Sequence, residues 1–306
     1  MKFIILFFLN IFFLLTGCAF AIPVGPEDAW DPVSAGPITT WTAPVEAKGH
    51  LDVQPTVIYN RTRGEFDDQG HYVPLTKGNK ESQFQEELYT AYGVTDKWEI
   101  DAQTVYQENN VTQDGLKAQA QGFGDSFLFT RYQFLDDKGW IPATTGLLQV
   151  KMPTGKYQLL DPDKLGTDFM GESTDGGSWV PGVGISLTKK FKPFLIHADL
   201  IGNFPQRVDV DGEQTRYGNY INCGAAVEYF LPKGFNLMME LNNLSQADKR
   251  VNGAMAPDSG TGSLTLGSGV GWSNDKIQML IGYQRTLLGT NTDANDSVVA
   301  TFIYTF

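Results

Sequence analysis

The sequence predicts an all-β fold: a transmembrane antiparallel β-barrel of about twelve strands with up-and-down topology. Three observations predict it, namely an export signal at the N-terminus, repeated segments of alternating apolar and polar residues, and connections that alternate between short and long. Alternation with a period of two is typical of a strand whose two faces meet different surroundings. Short turns at one end and longer loops at the other are the arrangement of Gram-negative outer-membrane barrels.

Residues 1–21 have the pattern of a cleaved signal peptide. Lys2 precedes a short apolar stretch, and Ala19-Phe20-Ala21 places small residues at the two positions that a signal peptidase reads. The stretch is too short to span a membrane as a helix. The neighbouring Leu15-Thr16-Gly17-Cys18 resembles a lipobox, so lipidation of Cys18 is the alternative. We favour cleavage after Ala21, and either route exports the chain.

Composition and charge exclude several other classes of protein. The formal net charge is -12, and loss of the signal removes one lysine and no acid. Nucleic-acid binding requires a basic face, so we expect no nucleic-acid partner. If Cys18 leaves with the signal, Cys223 is the one cysteine left, which excludes a disulfide framework and a cysteine metal cluster. We expect no metal and no cofactor.

Residues 22–49 are rich in Pro, Ala, Trp and acidic residues and show no periodicity. We interpret them as a periplasmic N-terminal lead-in, with a position inside the barrel lumen as the alternative. The outer-membrane barrel is expected to occupy residues 50–306. A lead-in of roughly 28 residues is too short for a large plug domain, so energy-coupled transport is not expected.

From residue 51 onward, apolar and polar residues alternate. In the third predicted strand, Trp98 and Ile100 lie on one face and Glu99 and Asp101 on the other. Tilted strands cross a bilayer with about 9–11 residues. The twelve predicted strands are 51–61, 82–94, 97–108, 123–135, 141–153, 178–189, 193–204, 218–231, 234–245, 261–272, 276–286 and 297–306. The predicted long loops are 62–81, 109–122, 154–177, 205–217, 246–260 and 287–296.

Aromatic residues support a membrane location. Those close to the predicted short turns are Tyr92, Trp98, Tyr132, Phe134, Trp140, Phe194, Tyr229, Phe235 and Trp272. Rings at one depth around a barrel form an interface belt, and the alternative is aromatic capping of a soluble β core. At the C-terminus, Phe302, Tyr304 and Phe306 alternate on one face and resemble the signature that the outer-membrane barrel assembly machinery recognises.

The polar faces of the strands predict the lumen. A charge on the lipid face would cost about 2–4 kcal/mol at mid-depth for Arg or Lys, so the charged face must point inward. The candidate lumen-lining residues are Glu87, Glu99, Asp101, Asp125, Phe127, Phe129, Arg131, Lys151, His197, Asp199, Glu228 and Glu240. Such a lumen fits either a hydrated path or an ion-pair network that fills a closed barrel, and a barrel of about twelve strands leaves both open. Phe127 and Phe129 could contact an aromatic solute or could simply pack in the interior.

Four short motifs carry a resemblance to a known family. They are Gly122–Ser126 (GFGDS), Lys151–Tyr157 (KMPTGKY), Leu160–Asp168 (LDPDKLGTD) and Glu228–Asn236 (EYFLPKGFN). On these motifs the chain resembles the outer-membrane transporters named for the meta-cleavage pathway of phenol degradation, over most of residues 50–306. The resemblance implies a barrel associated with uptake of aromatic or other hydrophobic compounds. It transfers no binding residues.

Two other classes of function compete with a transporter. A barrel phospholipase needs a serine, a histidine base and an orienting group within hydrogen-bond reach at the lipid face. The three histidines are His50, His71 and His197, and none has a persuasive serine partner there. We therefore expect no catalytic residues. A non-conducting structural or adhesive barrel, with loops that contact lipopolysaccharide, is the main alternative to a passive, porin-like channel for small, hydrophobic or aromatic solutes.

Overall fold

The computed structural model describes residues 30–155, 177–210 and 212–306. The signal peptide predicted at 1–21 lies outside the described residues, as do most of the predicted loop 154–177 and the motif Leu160–Asp168. Within the described residues, no helix has the length and apolar character needed to cross a membrane.

Twelve long strands build the molecule. They are β1 (Leu51–Phe66), β3 (Lys80–Thr95), β4 (Trp98–Gln113), β6 (Ser126–Leu135), β7 (Ala143–Met152), β8 (Val180–Phe191), β9 (Phe194–Asn203), β12 (Tyr220–Phe230), β13 (Phe235–Gln246), β16 (Gly262–Ser273), β17 (Ile277–Thr290) and β18 (Thr292–Thr305). Six short strands accompany them among the described residues: β2 (Tyr72–Pro74), β5 (Leu116–Phe123), β10 (Val208–Val210), β11 (Glu213–Arg216), β14 (Arg250–Val251) and β15 (Ala254–Met255).

Each long strand pairs antiparallel with its neighbour, and β18 pairs back with β1 to close the sheet. Val57 stands opposite Ala300 in this closing pair. β5 and β6 together pair along β4, interrupted at Gly124-Asp125, and so form one continuous wall element. The predicted closed antiparallel barrel of twelve strands is confirmed. Closure leaves no unpaired sheet edge, which is the condition for crossing a bilayer with strands.

The alternation in the sequence becomes the two faces of the barrel wall. On β4, Glu99 and Asp101 are each 1% exposed, whereas Trp98 and Ile100 are 38% and 40% exposed. The inner face is therefore polar and the outer face apolar, the reverse of a soluble β core. The exposed residues of the predicted aromatic belt are Tyr92, Trp98, Tyr132, Phe134, Trp140, Phe194, Tyr229 and Phe235, and Trp272 is half-buried.

Tight connections gather at one end of the barrel, which we call the short-turn end. They join β3 to β4, β6 to β7, β8 to β9, β12 to β13 and β16 to β17. Ion pairs link these turns: the Lys97 ammonium lies 2.8 Å from the Asp136 carboxylate, and Lys189 pairs with Asp137. The hydrogen bond from Lys97 holds the pKa of the Asp136 carboxyl below its ordinary value.

The opposite end, which we call the long-loop end, is more regular than the sequence predicts. The expected loops 109–122 and 287–296 are largely strand, since β4 and β5 form a hairpin and β17 and β18 meet at Asn291. In the β4–β5 hairpin, Asp114 and Gly115 have φ of 50° and 85°, the left-handed pair that a type I′ turn requires. The sequence predicts loops here because both faces of these stretches are polar. Strands that extend beyond the apolar band of a barrel can have two polar faces. Parts of the expected loops 205–217 and 246–260 form a small sheet, β10-β11-β14-β15.

Candidate functional site: the barrel lumen

Residues 30–49, which we call the N-terminal segment, rise into the lumen from the short-turn end. Asp31 pairs with Lys190 at that end, with 2.5 Å between Oδ1 and Nζ. Further along, the Thr40 backbone amide donates to Glu240 Oε2 at 3.2 Å, in the middle of β13. Ile38 fills a space kept open by Gly282, where a Cβ would stand 2.4 Å from Ile38 Cδ1. The apex of the segment therefore lies near mid-barrel.

The segment then returns to the end at which it entered. The Ser186 hydroxyl donates to the Thr42 carbonyl at 2.9 Å, and the Glu46 amide donates to Glu99 Oε2 at 2.5 Å. The Gly49 amide bonds the Gly93 carbonyl at 2.8 Å, immediately before β1 begins. Of the two positions expected for residues 22–49, the described part occupies the lumen and not the periplasm. A segment without secondary structure needs partners for its backbone groups, and the polar inner face supplies them.

Five of the predicted lumen residues hold this segment: Glu99, Arg131, Asp199, Glu228 and Glu240. Arg131 makes three kinds of contact: an ion pair, hydrogen bonds and a cation–π contact. Its guanidinium pairs with Glu99, donates to the Thr42 carbonyl, and donates to the Pro44 carbonyl at 3.3 Å. It also lies over the Trp41 ring, 5.2 Å from the ring centroid. Arg131 is 6% exposed and Glu99 1% exposed, so this is a buried, charge-assisted contact.

His197 pairs with Glu228 and not with Asp199, which lies two residues away on the same face of β9. His197 Nε2 lies 2.9 Å from Glu228 Oε1, and its Nδ1 lies 2.9 Å from the Thr188 hydroxyl. Asp199 instead accepts the Trp41 amide at 2.7 Å. The Ser34 hydroxyl donates to Glu228 as well. Because the carboxylate stands between serine and histidine, this arrangement lacks the serine–histidine contact that activates a nucleophile.

The remaining candidates also lie on the inner face. Glu87 accepts from Gln103 at 2.9 Å, and Lys151 lies 2.8 Å from Asp125, with both side chains 5% exposed. Asp101 is buried two residues beyond Glu99. Among the described residues, no group of three or more His, Cys, Asp or Glu side chains is placed to hold a metal ion.

An aromatic cluster stands in this polar lumen. The Trp41 ring lies 5.1 Å from Phe129 and 6.2 Å from Tyr89, measured between centroids. Phe127 stacks on Phe129 at 5.7 Å, with an interplanar angle of 4°. The sequence placed Phe127 and Phe129 on the inner face but gave no sign that Trp41 would join them. No pattern links Trp41 to the strands, because its position is set by the fold of the segment.

A cavity of about 540 Å³ lies beside the segment. The barrel wall contributes inward side chains of β1, β3, β17 and β18, among them Asp52, Thr56, Glu87, Gln278 and Thr301. The lining also includes residues that hold the segment, among them Glu99, Arg131, Thr188 and Glu228. The volume is within the range of about 300–1,000 Å³ that small-molecule sites occupy.

The closed barrel with a polar, partly filled lumen defines the class of protein: a membrane β-barrel with room for a small molecule. The family model "Putative MetA-pathway of phenol degradation" matches residues 65–302, and the chain belongs to this family. This confirms the resemblance that the short motifs indicate. Among functionally curated proteins, none is similar enough in sequence to count as a relative.

Several solved structures are similar to this chain to different degrees. An outer membrane channel from Pseudomonas putida F1 is 14% identical, with a TM-score of 0.70 over 93% of this chain and 100% of that chain. The β domain of the Bordetella autotransporter Brka is 10% identical, with a TM-score of 0.46 over 85% of this chain and 100% of that one. The CymD monoaromatic hydrocarbon channel is 9% identical, with a TM-score of 0.39 over 85% and 88%. The first of these likenesses shows a common fold.

Proposed function

We propose that this protein is an outer-membrane channel through which small, hydrophobic or aromatic solutes diffuse passively. The observation that carries the proposal is the cavity of about 540 Å³ that remains between the N-terminal segment and the barrel wall. Membership of the phenol-degradation family and the barrel fold support a channel for small solutes. The segment narrows the lumen without filling it, so the channel is selective for small molecules.

The aromatic cluster gives the solute class a physical basis. Trp41 packs on Phe129 and Tyr89 in tilted and edge contacts, and Phe127 stacks on the same Phe129 ring. An aromatic pair contributes about 0.5–1.5 kcal/mol beyond the burial of its area. A phenolic ring can make the same contacts when Trp41 is displaced, and the Arg131 guanidinium adds a cation–π contact of about 0.5–2 kcal/mol.

Topology supports a definite orientation in the membrane. In this proposal the short-turn end faces the periplasm and the long-loop end faces outward, as in other barrels of this kind. The signal peptide directs export, and the assembly machinery recognises the C-terminal strand. Phe302 and Phe306 are 39% and 67% exposed on the outer face of β18 and beyond it, where a partner can reach them.

Conductance across a planar bilayer tests the proposal. The refolded mature protein should give discrete openings, and phenol should block them. In Trp41→Ala the vacated aromatic position should enlarge the conductance and lower the blocking concentration about tenfold, because two aromatic contacts become available to the solute. Trp179→Ala is the matched control, since Trp179 is 53% exposed and lies beyond the cluster. Absence of openings, together with phenol uptake into proteoliposomes no faster than into protein-free liposomes, would refute a passive channel.

A closed structural barrel is the second candidate, and one observation favours it. The N-terminal segment is fixed by charge-assisted hydrogen bonds to Glu99, Arg131 and Glu228, which oppose its displacement. A deletion of residues 30–48 separates the two functions. If the wild-type protein is silent and the deletion variant conducts, the lumen of the native protein is closed and the structural function is correct.

A further inference from the structure

A row of arginines crosses the small sheet at the long-loop end. In the pairing of β11 with β14, Arg216 stands directly opposite Arg250. Arg207 immediately precedes β10, and the register Val208↔Thr215 continues to place Arg207 opposite Arg216. Met255 follows at the far side, opposite Arg250 on β15. Three positive side chains therefore occupy neighbouring positions on one face.

The alignment of three arginines is electrostatically unfavourable unless their positive charges are offset. Like charges directly opposite one another on a sheet are destabilising, since their Cβ atoms are only about 4.5–5.5 Å apart. None of the ion pairs in the described part of the chain includes Arg207, Arg216 or Arg250. The result is a local positive surface on a protein whose formal net charge is -12.

The acidic residues that the structure describes in the same sheet form no ion pair with the row. Asp209 shares its face, but Asp209 Oδ1 accepts the Gly212 amide at 2.9 Å and so caps its own turn. Glu213 lies one residue from Gln214 and therefore points to the opposite face.

A cavity of about 250 Å³ opens on this face, lined by Arg207, Gln214, Arg216, Arg250, Asn252 and Gly253. Five of these six residues carry hydrogen-bond donors on their side chains. Asn252 Oδ1 accepts the Gln214 amide at 3.0 Å, which leaves the Asn252 amide nitrogen as a donor. Each guanidinium presents five N–H groups in a planar fork that matches phosphate oxygens.

We propose that this cavity is a binding site for clustered phosphate groups. A pair of phosphates can bridge the three guanidinium groups and convert their mutual repulsion into charge-assisted hydrogen bonds. Two sources carry this chemistry: the phosphorylated sugars of lipopolysaccharide in the outer leaflet, and a soluble phosphorylated compound. Met255, which lies beside Arg250, is 59% exposed and offers an apolar contact to a lipid. The site stands apart from the lumen, so it does not depend on the proposed channel function.

The test uses the refolded mature protein in detergent that is free of lipopolysaccharide. Binding of inorganic pyrophosphate, of purified lipopolysaccharide and of dephosphorylated lipopolysaccharide is measured by titration calorimetry. The variant is Arg216→Gln with Arg250→Gln. The matched control is Lys77→Gln with Lys117→Gln, which removes the same charge from exposed positions at the same end of the barrel.

We expect the wild-type protein and the lysine control to bind alike and the arginine variant to bind at least tenfold more weakly. Hydrogen bonds to charged groups contribute about 1.5–3 kcal/mol each, which corresponds to a factor of ten or more. Binding of lipopolysaccharide but not of its dephosphorylated form assigns the lipid as the source, and comparable binding of pyrophosphate assigns a soluble phosphate. Binding that is equal in the arginine variant, or absent from the wild-type protein, overturns the proposal.

The thermal unfolding temperature shows whether the arginine variant is folded. Without an anion, Arg216→Gln with Arg250→Gln should unfold no earlier than the wild-type protein, because a repulsion has been removed. Pyrophosphate should raise the unfolding temperature of the wild-type protein and leave that of the variant unchanged. A rise of equal size in both proteins would place phosphate binding elsewhere and refute this site.

Discussion

Replacement of Arg131 by Met tests whether a buried ion pair holds the N-terminal segment in the lumen. Arg131 and Glu99 are 6% and 1% exposed, and the guanidinium also bonds two carbonyls of the segment. Removal of one partner from a buried pair costs about 3–5 kcal/mol, because the other charge remains buried without compensation. Since the segment is bonded directly to both partners, we expect most of this cost to appear as weaker docking of the segment. The barrel wall keeps its own hydrogen-bonded ladders.

The accessibility of a cysteine in the segment measures this docking. Thr40 is 4% exposed, so Thr40→Cys in a Cys223→Ser background should react slowly with a maleimide reagent in the docked state. A loss of about 3 kcal/mol in docking free energy raises the open fraction, and hence the labelling rate, roughly a hundredfold. Heat-modifiable migration on a gel confirms that the barrel remains folded.

Two further variants make the result specific. Arg63→Met breaks an ion pair to Asp296, at 3.0 Å, that does not involve the segment, and it should leave the labelling rate unchanged. Adding Glu99→Gln to Arg131→Met removes the stranded charge and should restore part of the protection. If Arg131→Met labels at the wild-type rate while the barrel is folded, the ion pair does not hold the segment and the reasoning fails.

Three other perturbations have definite expected outcomes. Gly282→Leu places a side chain where Ile38 now lies, so it should displace the apex of the segment and raise single-channel conductance; unchanged conductance would contradict the packing at this position. Phe127→Ala removes a stacked ring and should weaken block by phenol about two- to tenfold, and block of equal strength would exclude the aromatic cluster from the solute path. Glu228→Gln loses the charged acceptor of His197 and should lower the free energy of unfolding by about 1–3 kcal/mol, which thermal unfolding in detergent measures against the exposed control Glu86→Gln.

The N-terminal segment and the inner face of the barrel are joined by many hydrogen bonds. Its backbone amides at Thr40, Trp41 and Glu46 donate to carboxylates on three different strands. These partners lie 53 to 200 residues away in sequence. The acidic inner face therefore provides the hydrogen-bond acceptors that order a segment without secondary structure.

The barrel itself was open to prediction because one physical rule governs every strand. A wall that separates lipid from a polar interior forces the alternation that distinguishes Trp98 and Ile100 from Glu99 and Asp101, and the twelve strands follow from it. The same rule predicts which side chains point inward, and Glu99 and Asp101 are buried as it requires. The rule does not apply to strands that have no lipid-facing side. The sequence predicts loops for β5 and the start of β18, because neither face of these strands shows the apolar residues of lipid contact.

By itself, the sequence determined the class of fold, the inward face of each strand and the family, since each is written in local patterns of period two or in short motifs. The tertiary structure alone decided which inward groups meet. It paired His197 with Glu228 rather than Asp199, packed Trp41 on Phe129, and aligned Arg216 with Arg250. Such contacts depend on strand register and on the path of an irregular segment, and both are set by packing across the barrel rather than by neighbours in the chain.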